Sequence, residues 1–329
     1  MKRVLVLANN LSQASFRLRV AALVPLLARR GFDLQVRLRP KGALAAPKMW
    51  RLLRSAGQWD AVLVQRKLLD PWEANLLKRV ARKIYYDVDD AVMQHNRQVG
   101  RLSRWRTQRR FLATARVLDH VVAGNDYLAG VFVQQGCRAT VIPTVLDCEQ
   151  YQVRQHAPTQ SPRLVWIGSR STLGYVQQFL PALEAAARQA PGLRLLTIAD
   201  ETVSSAVLPI EHEPWSPQTE AAALCRGDIG IAPMPLDPWT IGKCGFKILQ
   251  YMAAGLPVVA SPVGANAQIV QQGITGLLPA RSDDWPAAIA QLAGDVALRE
   301  RMGRRGRDLA AERYSLARAA DDWARLLDE

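Results

Sequence analysis

The chain has 329 residues, 49% hydrophobic and 22% charged, which suits two folded domains and excludes a disordered or fibrous protein. No apolar run reaches the ~18 residues of a membrane helix, the opening VLVLA is cut too short for a leader by Asn9 and Asn10, and four cysteines without metal-ligand or paired spacing point to reduced thiols in the cytoplasm. The net charge of +14 sits in the first half, with 27 Lys and Arg against 11 Asp and Glu up to Arg154 and 16 against 18 thereafter, so an anionic partner is expected there: a membrane surface, a phosphate-bearing acceptor or nucleic acid.

Strands are predicted over 4–8, 34–38, 61–65, 84–87 and 121–123, with helices over 15–30, ended by Gly31, and 72–83. Such alternation implies a parallel sheet covered on both faces, with binding groups outside the carboxyl ends of its strands. One edge then collects Asn9 and Asn10, Gln65 and Arg66, Asp87 to Asp90, and Gly124 and Asn125, with Ser15, Arg17 and Arg19 opening the first helix beside them. Asp87, Asp89 and Asp90 repel one another and need cations, for which Arg66 and Arg17 are the expected sources. A metal on this D-x-D-D is the weaker reading, because oxygen-ligand sites draw on more than one short loop. Residues 97–116 hold seven arginines and no acid, with Leu102, Trp105, Phe111 and Leu112 as an apolar side. That pattern suits an anionic membrane surface or a solvated helix packed by its stripe. The first half contains no recognisable nucleic-acid module, and its aromatics are not interleaved as stacking platforms, so nucleic acid is not the expected partner.

Residues 155–162 read as a linker, after which strands over 164–167, 193–198, 229–232 and 258–260 and a helix over 176–189 restart the pattern. Gly168, Ser169, Arg170, Ser171 and Thr172 form a turn into a helix, able to bind phosphate or simply to cap that helix with Ser171 or Thr172. Glu211, Glu213 and Trp215 fall between strands, where Trp215 could stack on a base or be a half-buried loop residue. Gly242, Lys243, Cys244 and Gly245 lead into a helix beginning near Phe246, whose free N–H groups and positive end, with Lys243 and Lys247, suit a phosphate. Cys244 is the one thiol whose reactivity bears on this loop.

The stretch LQYMAAGLPVVASPVG resembles the donor segment of the family 4 retaining glycosyltransferases, written E-G-F-G-x-x-x-x-E-A-M-A-x-G-x-P-V-V-A. KRVLVLANN, YYDVDDAV, VVAGNDYLA, VIPTVLD, LVWIGSRST and ERMGRRGRDLAAERYS extend the resemblance over nearly the whole chain, in family order. The resemblance implies the α/β GT-B fold: two Rossmann-like domains facing across a cleft, an acceptor domain over 1–155, a nucleotide-sugar domain over 162–315, and a last helix, 316–329, crossing back. It implies a retaining, metal-independent transferase without cofactor, moving a sugar such as a UDP-sugar to a glycan or lipid-linked acceptor in polysaccharide or envelope synthesis. The donor would meet Gly168, Ser169, Arg170, Thr172, Trp215, the 242–247 loop and Gln250; the acceptor would meet Asn9, Asn10, Ser15, Arg17, Asp87, Asp90 and Asn125; Asp89, Lys247 and Arg66 would carry the chemistry. Two departures stand out. The first glutamate of E-x7-E falls on Gly242, with Asp237 as a replacement or a turn residue, and the second falls on Gln250. No lysine follows Arg170 in the diphosphate clamp. A binding protein that has lost catalysis, or another sugar-nucleotide enzyme such as an epimerase, is therefore the rival expectation. The expected location is cytoplasmic, with the basic stretch suited to the inner face of a membrane.

Overall fold

The computed structural model describes residues 1–95 and 99–329, so Arg97 of the basic stretch lies outside the described residues. They form two compact units. One comprises Met1–Val145, Asp237–Cys244 and Leu316–Glu329; the other comprises Leu146–Leu236 and Gly245–Ser315.

In the first unit the strands β1 (Lys2–Ala8), β2 (Phe32–Leu38), β3 (Ala61–Gln65), β4 (Ile84–Val88), β5 (His120–Ala123) and β6 (Ala139–Val141) pair in parallel, in the order β2-β1-β3-β4-β5-β6. The central strands are continuous apolar runs because both faces are covered. On one face the helices Ala45–Arg54, Pro71–Val80 and Arg101–Ala115 bury Met49, Leu53, Leu77 and Phe111 with Leu5, Val62 and Tyr86. The closing helix Leu316–Asp328 belongs to this unit and is tied to it where the Tyr85 hydroxyl donates to the Leu326 carbonyl at 3.1 Å.

The helix expected over 15–30 is broken. It is Ala14–Arg19, a single 3-10 turn at Ala21–Leu23, and Val24–Ala28. Val20 departs from helical geometry, with φ −123° and ψ −65°, and Pro25 cannot donate back to Ala21, so it serves instead at the start of the second piece. Helices Ala45–Arg54 and Asp126–Val133 and the short strand β6 were not anticipated.

In the second unit β7 (Arg163–Ile167), β8 (Arg194–Ile198), β9 (Ile210–Glu213), β10 (Ile229–Ala232), β11 (Val258–Ala260) and β12 (Gly276–Leu277) are again all parallel, in the order β12-β11-β10-β7-β8-β9. The helix Phe246–Ala253 ends as expected at a left-handed Gly255, φ +72°. Its Tyr251 hydroxyl donates to the Ile231 carbonyl at 2.9 Å and accepts from the Ile167 N–H at 3.1 Å, which fastens the helix to the ends of β10 and β7. Two doubly covered parallel sheets of this kind are the Rossmann-like pair of the GT-B fold.

Candidate functional site

The carboxyl edge of the first sheet carries a dense charge cluster. Asp87, the fourth residue of β4, is fully buried, and Arg19 holds it through Nε at 2.9 Å and Nη2 at 2.6 Å. Burial pushes the Asp87 carboxyl up and the Arg19 charge pulls it down. Sequence reasoning gave this counter-cation role to Arg17. The structure gives it to Arg19, because the helical turn that buries Ser15 and Phe16 brings Arg19, not Arg17, to the same side. The Arg19 guanidinium also donates to the Ile142 carbonyl at 2.9 Å. Asp87 is therefore an internal strut rather than an acceptor contact.

Arg66 is the expected counter-cation for the other two carboxylates. It pairs with Asp90, its Nε lies 3.6 Å from Asp89, and it donates to the Ser15 hydroxyl at 3.2 Å. Its backbone is left-handed, φ +62°, the only such non-glycine among the described residues. That geometry costs on the order of 1 kcal/mol. Two contacts hold it: the Arg66 N–H donates to Asp87 O at 2.7 Å, and the Tyr86 hydroxyl donates to Arg66 O at 2.7 Å. Strain held this firmly is characteristic of a working site. Asp89 keeps one buried carboxylate oxygen without a hydrogen bond among the described residues. Burial pushes Asp90 up despite the pull of Lys243.

Residues 242–244 pack against this edge within the first unit. Lys243 Nζ lies 3.3 Å from Asp90 and 5.2 Å from the centre of the Trp239 ring, so its charge is spent on a carboxylate rather than held out for a phosphate. The Cys244 thiol donates to Asp89 O at 3.1 Å, and burial followed by the Asp89 charge pushes its pKa far up, which makes it an inert thiol. Asn125 was assigned to an acceptor. Its side chain instead caps the helix Asp126–Val133, accepting from Leu128 N at 2.9 Å, and donates to Lys243 O at 3.1 Å. Gly242, at the family's first glutamate, has no room for a side chain: a Cβ there would lie 2.6 Å from that of Ala91. Asp237 does not replace that glutamate. Its carboxylate accepts from the Trp239 and Thr240 N–H groups, both at 2.8 Å, and shapes the turn.

Beside the cluster a cavity of about 360 Å³ opens between Asn9, Arg66, His95, Arg110 and Trp239. Asn9 and Arg66 were expected at such a site. His95, Arg110 and Trp239 were not, since three separate segments supply them; His95 Nε2 lacks a hydrogen-bond partner among the described residues. Asn10 turns away to accept from the Ser12 N–H at 3.0 Å, shaping its own loop.

The second unit builds a different centre around Trp166. Lys247, in the first turn of Phe246–Ala253, sits 4.5 Å from the centre of the Trp166 ring. The same indole crowds Gly168, where a Cβ would meet it at 2.4 Å. The turn after β7 and the start of the next helix thus converge on one buried tryptophan, a link the sequence reading missed. Gly245 takes φ +64° and lets the chain enter the helix close to Ile269. Phe246 opens the helix half-buried, and Gln250 is buried with its amide donating to the Tyr151 hydroxyl at 3.3 Å.

The helix after β7 begins at Arg170, not at 176, so the cap is Ser169 rather than Ser171 or Thr172. The Ser169 N–H donates to Thr172 Oγ1 at 3.3 Å and the Ser169 hydroxyl pairs with Ser171 at 2.8 Å. Arg170 is exposed and pairs with Glu201 at 3.2 Å. Trp215 is half-buried and its N–H donates to Glu220 at 2.7 Å, which fixes the ring. Glu211 and Glu213 are not loop residues: they lie on the edge strand β9, where Glu211 pairs with Arg163 at 3.1 Å.

Residues 161–295, which contain this second centre, match the family model described as Glycosyl transferases group 1. The alpha-D-kanosaminyltransferase of Streptomyces kanamyceticus is 31% identical over 103 residues, 31% of this chain and 27% of that one. Among solved structures, Anabaena HepE in complex with UDP and glucose superposes over 100% of both chains with TM-score 0.73 at 14% identity. Sucrose-phosphate synthase from Thermosynechococcus elongatus covers 100% of this chain and 98% of its own at 0.74 and 14%. The lipopolysaccharide outer core galactosyltransferase WaaB, in its apo form, covers 100% of both at 0.72 and 10%. The family match is thus confined to residues 161–295 of the second unit, while the GT-B fold is shared with these structures along the whole length of the chain.

Proposed function

We propose that the protein transfers a sugar from a nucleotide-diphosphate sugar to a hydroxyl of a glycan or lipid-linked acceptor, with retention and without a metal. The observation that carries the reading is the convergence of Lys247, the Phe246–Ala253 helix start and the Gly168–Thr172 turn on Trp166, inside the segment that matches the family. Two helix starts offer N–H groups, and Lys247 a cation, to a leaving diphosphate. In the step proposed, the bond from the anomeric carbon to the diphosphate oxygen breaks as the acceptor oxygen bonds to that carbon on the same face. The departing diphosphate takes the acceptor proton. No carboxylate stands ready as a covalent nucleophile at Gly242 or Gln250, which favours this single displacement.

The acceptor is assigned to the cavity beside Arg66, whose Asn9, His95 and Trp239 suit a polyhydroxylated ligand. Asp87, Asp89 and Asp90 already face Arg19, Arg66 and Lys243, so their charge is balanced by side chains, in keeping with metal-free transfer. The four cysteines are unbridged, which suits a cytoplasmic site of action, and the basic helix Arg101–Ala115 suits the anionic inner face of a membrane.

A second reading, binding without transfer, draws on Gly242 and on the enclosure of Gln250 against Tyr151. A panel of UDP- and other nucleotide-sugars tested by thermal shift and by release of free diphosphate separates the two. Stabilisation with slow hydrolysis or transfer supports the enzyme, stabilisation without turnover supports the binder, and no stabilisation by any nucleotide-sugar rejects both.

A further inference from the structure

The exposed side of the first unit's helical layer carries three tryptophans, one on each of three successive helices. Trp50 on Ala45–Arg54 is 45% exposed, Trp72 on Pro71–Val80 is 42% exposed, and Trp105 on Arg101–Ala115 is 55% exposed. The three helices pack side by side against one face of the sheet, burying Met49, Leu77 and Phe111 inward. The apolar residues of the basic helix do not all follow: Leu102, Trp105 and Leu112 remain exposed while Phe111, Ala113 and Ala115 pack inward, so the predicted apolar side is split. The same three helices carry exposed cations, among them Lys48, Arg51, Lys78, Arg104 and Arg106. The three helices contain a single acid, Glu73, which is buried and held by Arg39 at 2.7 Å.

We propose that this three-helix face, and not the basic helix alone, docks on a bilayer containing acidic phospholipid. The inference rests on the membrane reading of the basic helix given above and extends it to Trp50 and Trp72. Indoles belong at the headgroup level, where the ring is shielded and the N–H stays wet, and cations beside them meet the lipid phosphates. Single-stranded nucleic acid fits less well. Arg54 lies 4.6 Å from the Trp50 ring centre and Arg109 lies 5.3 Å from that of Trp105, so two of the ring faces a base would stack on are covered by the protein's own guanidiniums. Among the described residues no helix is long and apolar enough to cross the membrane, so attachment by this face would be peripheral.

The test is co-sedimentation of the whole chain with phosphatidylcholine vesicles made with and without phosphatidylglycerol. The parent should pellet with the acidic vesicles alone. Replacing Arg101, Arg104, Arg106 and Arg109 by Gln should lower partitioning by about fivefold per arginine at low salt. Trp50→Phe/Trp72→Phe should lower it several-fold while leaving UDP binding and the melting temperature unchanged. Fluorescence gives an independent readout: Trp105→Phe protein should still be quenched by brominated phosphatidylglycerol, and the triple Trp→Phe variant much less. If the arginine variant is released but the double tryptophan variant binds and is quenched like the parent, the three-helix face is wrong and the basic-helix reading survives. If the parent stays in the supernatant, both fail. Displacement of bound protein by single-stranded RNA at concentrations that match the lipid phosphate would show a general polyanion surface and overturn the proposal.

Discussion

Arg19 and Asp87 form a two-point ion pair inside the first unit, 2.6 Å between Nη2 and Oδ1, with both side chains buried. Because Arg19 also reaches the Ile142 carbonyl, it ties the first helix, β4 and the chain after β6 into one frame behind Arg66. Removing one partner strands the other charge out of water. Arg19→Met should cost about 3–5 kcal/mol, and Arg19→Met with Asp87→Leu distinctly less than the sum of the single changes. Urea unfolding of the four proteins checks this. Additive losses would mean that the pair is not the unit of stability.

Lys243 and Lys247 looked equivalent in sequence, four residues apart around one loop. The structure separates them, Lys243 onto Asp90 and Lys247 onto the Trp166 face. Lys247→Ala should weaken UDP binding by about 1–3 kcal/mol, the range of a charge-assisted contact, whereas Lys243→Ala should change it by less than about 0.5 kcal/mol. Titration calorimetry with UDP and with uridine distinguishes a phosphate contact from a general loss. Equal losses for the two lysines would restore the reading that both hold phosphate.

Much of the fold was legible because buried parallel strands leave long apolar runs, as in Val4–Ala8 and Ala61–Gln65. The misses have physical causes. Ile210–Glu213 is an edge strand carrying two glutamates and a histidine, so it shows no apolar run, and Pro25 broke a helix whose apolar spacing ran on past it. At the sheet edge, a strand-end rule anticipated the placing of Asn9, Arg66 and Asp89. It could not find His95, Arg110 and Trp239, which meet only after folding, nor choose between Arg17 and Arg19, which depends on the phase of one short helix.

The glutamate missing at position 242 cannot simply be restored. Gly242→Glu drives a side chain into Ala91, 2.6 Å from the new Cβ, and should destabilise the protein by about 1–3 kcal/mol, as overpacking does. Adding Ala91→Gly should recover part of that loss. Thermal unfolding of both variants decides it, and an unperturbed single variant would show that the 89–91 segment yields easily.

The Cys244 thiol is held as a neutral donor to Asp89 O. Its raised pKa means a thiolate fraction below that of a free thiol at every pH up to the alkaline range. Burial also raises Cys137, Cys148 and Cys225, so native protein at pH 8 should show no fast-reacting thiol, and all four should react once unfolded. Mass-resolved alkylation is the measurement. A native Cys244 labelled as fast as a peptide thiol would mean that the 242–244 segment opens from the sheet edge.

Among the described residues, Asp89 is the one carboxylate of the three with a buried oxygen that accepts no hydrogen bond, 3.6 Å from the strained Arg66. That oxygen lacks a donor, and Arg66, which lines the cavity beside the sheet edge, links it to that cavity. Asp89→Asn keeps the shape and removes the charge. Turnover should fall by about 10²-fold or more while UDP affinity, which the proposed function assigns to the second unit, stays within error. With Arg66 and Lys243 already balancing the carboxylates, EDTA should leave turnover of the parent unchanged. A loss with EDTA that manganese reverses would assign the three aspartates to a metal. A loss of UDP affinity in Asp89→Asn matching its loss of turnover would place the residue at the donor instead.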